Sequence, residues 1–151
     1  MITEFHLTTR RRAAALMLGL LLALVPVGCA SRGEPPASPT EVVNRFYRWH
    51  VGYPGNSLAD GAYRTNADLA ESFIAEVDEM LSAPDLGVVD PFLLAQDVPA
   101  EFAVVRSTDG DEASTVLVNL YWAGNPTPVQ REVSLRFIDG RWQITGVTPL
   151  P

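Results

Sequence analysis

From Phe102 onward the apolar residues recur every second position, and this constrains the chain more than any other feature. In Glu112–Trp122, Val116, Val118, Leu120 and Trp122 point one way, and Thr115, Asn119 and Tyr121 the other. The segment Ala100–Ser107 reads as a preceding strand, with Thr108-Asp109-Gly110-Asp111 as its turn. After the break at Asn125-Pro126-Thr127-Pro128, Val133, Leu135 and Phe137 continue the buried face, while Glu132, Ser134 and Arg136 point outward. Asp139-Gly140 marks a tight hairpin, because both residues tolerate the left-handed backbone that such turns require. Trp142 and Ile144 then carry the last strand inward, against outward Arg141, Gln143 and Thr145. This pattern describes an antiparallel meander of about four strands with one apolar face.

Upstream the spacing is helical. Ser38-Pro39-Thr40-Glu41 combines a capping serine, a proline suited to the first helical position and a glutamate placed for a capping box. Val43, Phe46, Tyr47 and His50 follow on one stripe, flanked by Val42 and Trp49, and the helix is expected to end near Gly52. Gly55–Thr65 reads as a loop. A second helix is expected over Asn66–Ser82, ended by Pro84. Leu69, Phe73, Ile74, Val77 and Leu81 form its apolar stripe, and acidic residues load the other side. Helices followed by a meander with one apolar face define an α+β domain.

The N-terminus has a different purpose. Arg10–Arg12 precede the apolar run Ala13–Val27, and Gly28-Cys29-Ala30-Ser31 closes it with small residues, which are the parts of a signal peptide. A permanent membrane-spanning helix needs about 20 apolar residues and would not carry Pro26 near its end. Cys29 is the only cysteine among the 151 residues. Leu24-Val25-Pro26-Val27-Gly28-Cys29 resembles the lipobox of bacterial lipoproteins, although Pro26 departs from the usual aliphatic residue three positions before the cysteine. That resemblance implies a lipidated Cys29, with 1–28 removed as a signal peptide, 29–38 as a lipidated tether and 39–151 as the folded domain. The expected location is outside the cytoplasm, held on the cell membrane or outer membrane by lipid and not by a helix. With Cys29 modified, the domain has no disulfide and depends on its apolar core.

Without its leader the chain has eight arginines, no lysine and 17 acidic residues, a formal charge of −9. Such a surface repels phosphate backbones, which excludes nucleic acid as a partner.

Three segments together carry a family resemblance: Phe46-Tyr47, Asp90-Pro91-Phe92-Leu93-Leu94-Ala95-Gln96-Asp97, and Asp139-Gly140-Arg141-Trp142-Gln143-Ile144. They resemble the bacterial family called domain of unknown function 3828, over roughly Pro39 to Val147. Members look like small exported proteins, often lipoproteins. The resemblance implies a cystatin-like cone similar to nuclear transport factor 2 relatives, with N-terminal helices packed on a curved antiparallel sheet. It implies no activity. Where a second aromatic is expected one turn after Phe46-Tyr47, this chain has Trp49-His50.

Candidates for chemistry are few. Asp90 and Asp97, with Gln96 beside one of them, suit a proton donor and acceptor. The simpler reading makes Asp90 the cap of a short helix begun by Pro91, with Phe92, Leu93 and Leu94 plugging the core. His50, the only histidine after the leader, lies on the Phe46 stripe, where it would work with Asp90 or Asp97 or sit as a hydrogen-bonded core residue. Phe46, His50, Gln96, Trp122, Phe137 and Trp142 are the candidate lining of an apolar pocket between helix and sheet. No nucleophile motif, phosphate loop or calcium-loop spacing occurs, so neither metal nor cofactor is expected.

The reading preferred from sequence is a non-catalytic exported lipoprotein that binds a small apolar ligand or an envelope protein. The alternatives are a hydrolase or isomerase-like enzyme using His50 with Asp90 or Asp97, and a structural envelope interaction protein. A homodimer through the sheet stays open, though Arg136, Gln143 and Thr145 make the outer face polar.

Overall fold

The computed structural model describes residues 35–83 and 89–150. Cys29, the leader, most of the tether and Pro84 lie outside the described residues. The elements run α1 (Pro39–Val51), a short 3₁₀ turn (Ala62–Thr65), α2 (Glu71–Ser82), then β1 (Glu101–Asp109), β2 (Ala113–Tyr121), β3 (Val129–Ile138) and β4 (Arg141–Pro149). The strands form one antiparallel sheet in the order β1-β2-β3-β4, with the helices packed on it. This is the expected α+β architecture of helices on a four-stranded meander.

Helix α1 begins where its sequence says it should. The Glu41 N–H donates to Ser38 Oγ at 3.3 Å, and the Ser38 N–H donates to Glu41 Oε2 at 2.7 Å, so two otherwise orphaned donors are satisfied reciprocally. At the far end the Gly52 N–H donates to the Arg48 carbonyl. A Cβ at position 52 would lie only 2.9 Å from that carbonyl oxygen, which is why a glycine stands there. Val42, Val43, Phe46, Tyr47 and His50 form the buried face.

Helix α2 starts five residues later than expected, at Glu71 and not Asn66. Leu69 has the right spacing for the helical stripe, but its neighbours' backbone groups are used elsewhere. The Ala70 N–H donates to the Ile144 carbonyl at 2.9 Å, and the Ile144 N–H donates to the Asp68 carbonyl at 2.8 Å. Residues 68–70 therefore form a short parallel bridge along β4 before the helix begins. Leu69 is buried from this bridge and not from a helix.

The sheet follows the period-two pattern, with Val116, Val118, Leu120, Val133, Leu135 and Ile144 all buried. Asp139 and Gly140 adopt φ of 50° and 79°, the left-handed pair that closes the β3–β4 hairpin. Two bulges interrupt the ladders, one between Val104 and Arg106 in β1 and one where Thr145 is extra in β4. Bulges of this kind strengthen local twist.

Two orientations depart from expectation. Gln143, expected outward, is buried, because the 67–69 segment lies against β4 and covers its side-chain amide. Phe137, expected on the buried face, is 39% exposed. It sits at the hairpin end and packs edge-on against Trp142, with ring centroids 5.4 Å apart, while Trp142 is the one that meets the core.

Candidate functional site

The polar groups of the interior gather at the C-terminal end of α1. His50 lies in the last turn of that helix, its ring parallel to Phe46 at 5.7 Å and edge-on to Phe92 at 5.1 Å. His50 Nε2 is 2.8 Å from Asp90 Oδ2, and His50 Nδ1 is 2.9 Å from Ser57 Oγ. A carboxylate only accepts, so the Nε2–H donates to Asp90, and in the neutral ring Nδ1 accepts the Ser57 hydroxyl. Helix α1, the 53–61 loop and the 90–95 turn are thereby joined through one buried imidazole.

Asp90 makes two sets of contacts at once. While Oδ2 takes the histidine proton, Oδ1 accepts from the Phe92 and Leu93 N–H groups at 2.8 and 3.2 Å. Pro91, lacking an N–H, fits between them. The chain then closes on itself: the Leu94 N–H donates to the Asp90 carbonyl at 2.7 Å, and the Asp90 N–H to the Ala95 carbonyl at 2.8 Å. Closure requires Leu94 to adopt a left-handed φ of 51°. The result is a closed turn, not the short helix expected after Pro91, and it still drives Phe92 and Leu93 into the core. Phe92 becomes its hub, ringed by Phe46, His50, Tyr63 and Phe73 at 5.1–5.9 Å.

The carbonyls left over on this turn are met from below. Arg131, on the buried face of β3, donates from Nε to the Leu93 carbonyl at 2.7 Å and from Nη2 to the Leu94 carbonyl at 3.1 Å. Burial lowers its guanidinium pKa from the usual arginine value, and the neighbouring Tyr47 hydroxyl opposes that shift. Tyr47 itself donates to the Phe92 carbonyl at 2.8 Å, and burial, with the charge of Asp90 adding, pushes its phenol well above the ordinary tyrosine range. At the end of the segment Trp122 Nε1 donates to the Asp97 carbonyl at 3.1 Å.

Between the 53–61 loop and the 90–98 segment lies a small cleft of about 80 Å³, lined by His50, Ser57 and Asp90 within and by Asn56, Gln96 and Asp97 among its outer residues. Of the residues expected to work together, His50 and Asp90 are in contact. Asp97 is exposed at the rim. Of the six expected around an apolar pocket, only His50 and Gln96 border this cleft. Phe46 is fully buried beneath it, Trp122 anchors its outer edge, and Phe137 and Trp142 sit together at the β3–β4 hairpin. Large side chains pack together between the helices and the sheet, where the candidate pocket lining was placed. Among the described residues no group of three histidine, cysteine, aspartate or glutamate side chains is arranged to hold a metal.

Serine, histidine and aspartate in one hydrogen-bonded chain suggest nucleophile, base and orienter. The backbone donors beside Ser57 are nevertheless taken, since the Leu58 and Ala59 N–H groups both donate to Asn56 Oδ1 at 3.0 Å. Those beside Asp90 are used by its own carboxylate. In this geometry the network is a clamp that satisfies its own members. Sequence reading missed Ser57, which sits in an aperiodic loop and carries no signal. It also missed Arg131, which was detectable as an arginine in phase with the inward Val133 and Leu135.

No family model matches the chain, and no curated protein does. Among solved structures it is similar to a chain of the type VI native effector-immunity complex Tae3-Tai3 from Ralstonia pickettii. The two are 22% identical with a TM-score of 0.57, over 76% of this chain and 96% of that one. The selenomethionine form of the same complex matches with equal identity and TM-score, over 76% and 97%. At that identity the likeness establishes the fold that the two chains share.

Proposed function

We propose that this chain is an exported lipoprotein, anchored through Cys29, whose domain binds a protein partner at the cell envelope as one member of an effector-immunity pair does. The observation that carries the reading is the likeness to a chain crystallised within such a complex. The two members of that complex are bound to each other, and of the two it is the immunity role, protection of the cell that carries it, that suits a chain held at the envelope. The filled interior agrees with it. Pockets for small ligands enclose about 300–1,000 Å³, whereas the cleft beside His50 holds about 80 Å³ and is largely polar. That weighs against an apolar small-molecule ligand in this cleft. The basic and apolar leader and the resemblance of Leu24–Cys29 to a lipobox support the proposed address.

Two measurements test this. Cells fed a labelled fatty acid should yield a labelled chain, and Cys29→Ser should abolish the label; an unlabelled wild-type chain overturns the anchor. In mixed culture with kin armed with a type VI system, cells lacking the chain should be outcompeted and cells carrying it should survive. Equal survival overturns the protective role.

A second reading, hydrolysis by Ser57 with His50 and Asp90, is favoured by the 2.8 and 2.9 Å contacts alone. It requires that an activated-serine probe such as a fluorophosphonate label Ser57 and not the Ser57→Ala chain. An unlabelled Ser57 rules it out.

A further inference from the structure

We infer that the cleft between the 53–61 loop and the 90–98 segment is the docking point for the protein partner, and that it receives one basic side chain, lysine or arginine, from a partner loop. This rests on the protein-binding reading and names the surface that would serve it.

Four anchors, all formed within this chain, hold the two walls. His50 ties Ser57 on one side and Asp90 on the other, Arg131 holds the Leu93 and Leu94 carbonyls, and Trp122 holds the Asp97 carbonyl. Segments fixed this way lose little freedom on binding, so contacts made there are not spent on ordering them. The mouth they frame is not neutral. Asp97 and Gln96 stand at the rim with Asn56 opposite, the Asp90 carboxylate lies within, and among the described residues no arginine lines the cleft. Val98, 58% exposed, forms its outer apolar wall, with Leu58 facing the cleft as well.

An exposed valine beside the rim carboxylate of Asp97 matches a side chain that is apolar along its stem and cationic at its end, as lysine and arginine are. The cleft, at about 80 Å³, has room for the end of one such side chain and not for a helix or a strand. The formal charge of −9 without the leader would steer a basic partner surface toward it.

The test uses the full chain, isotope-labelled and held in detergent micelles, titrated with Nα-acetyl-arginine methylamide and its lysine counterpart. Acetyl-citrulline methylamide serves as the uncharged control. Saturable amide shifts are expected at residues 55–58 and 96–98 with the cationic probes and not with citrulline, with whichever of arginine and lysine binds tighter marking the preferred side chain. Asp97→Asn, at an exposed position, should weaken binding about fivefold, as expected for losing a rim charge. Equal shifts with citrulline, shifts elsewhere, or no saturable shift up to the solubility limit overturn the proposal. In the competition assay, Asp97→Asn and Val98→Ser chains present at wild-type levels should lose protection. Full protection by both variants overturns the docking surface while leaving the protective function standing. Failure of the wild-type chain to protect, with charge-dependent probe binding intact, overturns the function and leaves the cleft.

Discussion

On the sheet, Val116, Val118, Leu120, Val133 and Leu135 are buried because every second residue must face the helices. At the end of α1, His50, Ser57 and Arg131 are buried to a similar depth by hydrogen bonds. The first region is stabilised by apolar area and tolerates changes that preserve volume. The second is stabilised by satisfaction of polar groups, so removing one member strands another. Phe92 belongs to both, carried by the polar turn yet packed among the rings of Phe46, His50, Tyr63 and Phe73.

Because it joins the two regions, Phe92→Ala should have the largest effect, about 3–5 kcal/mol lost in chemical denaturation; a loss below that of a surface substitution would mean the regions are independent. Arg131→Leu keeps most of the bulk but leaves the Leu93 and Leu94 carbonyls unmet, and should cost about 2–3 kcal/mol. A neutral or stabilising outcome would show that the β3 arginine is dispensable to the clamp. Ser57→Ala removes one hydroxyl from His50 and should cost about 1 kcal/mol, read as a shift in denaturation midpoint with unchanged slope. Phe137→Ala, at the hairpin end, should cost less than about 1 kcal/mol because little area is recovered by water; a larger loss would place that hairpin in the core.

The last effect is one of pH. Burial, with the Asp78 carboxylate accepting the Tyr63 hydroxyl, raises the Tyr63 pKa to about 12. An unfolded tyrosine ionises near pH 10, so the contribution is fully present below that value. It is lost as pH rises toward about 12, since the unfolded chain releases its proton first. Tyr63→Phe should flatten stability over that interval; an unchanged alkaline slope would assign it to other groups.

The candidate site was legible in pieces. His50 and Asp90 were both identifiable, one from a lone histidine on an apolar stripe and the other from its capping position. Their pairing was one of two that the sequence offered, and only folding chose Asp90 over Asp97, across 40 residues. The late start of α2 was hidden for a related reason, since Leu69 matches helical spacing whether or not its neighbours' amides bond to β4.

What the sequence by itself determined is local: the capped start of α1, the period-two faces of β2 and β3, and the left-handed hairpin at Asp139-Gly140. Each depends on residues a few positions apart, whose preferences act through sterics and nearby hydrogen bonds. Only the tertiary structure decided that Gln143 is buried, that Phe137 is not, and that His50 holds both Ser57 and Asp90. Those outcomes depend on which distant segment covers a side chain or supplies its partner. No spacing along the chain encodes that, because a polar group is satisfied by whatever acceptor folding brings within about 3 Å of it.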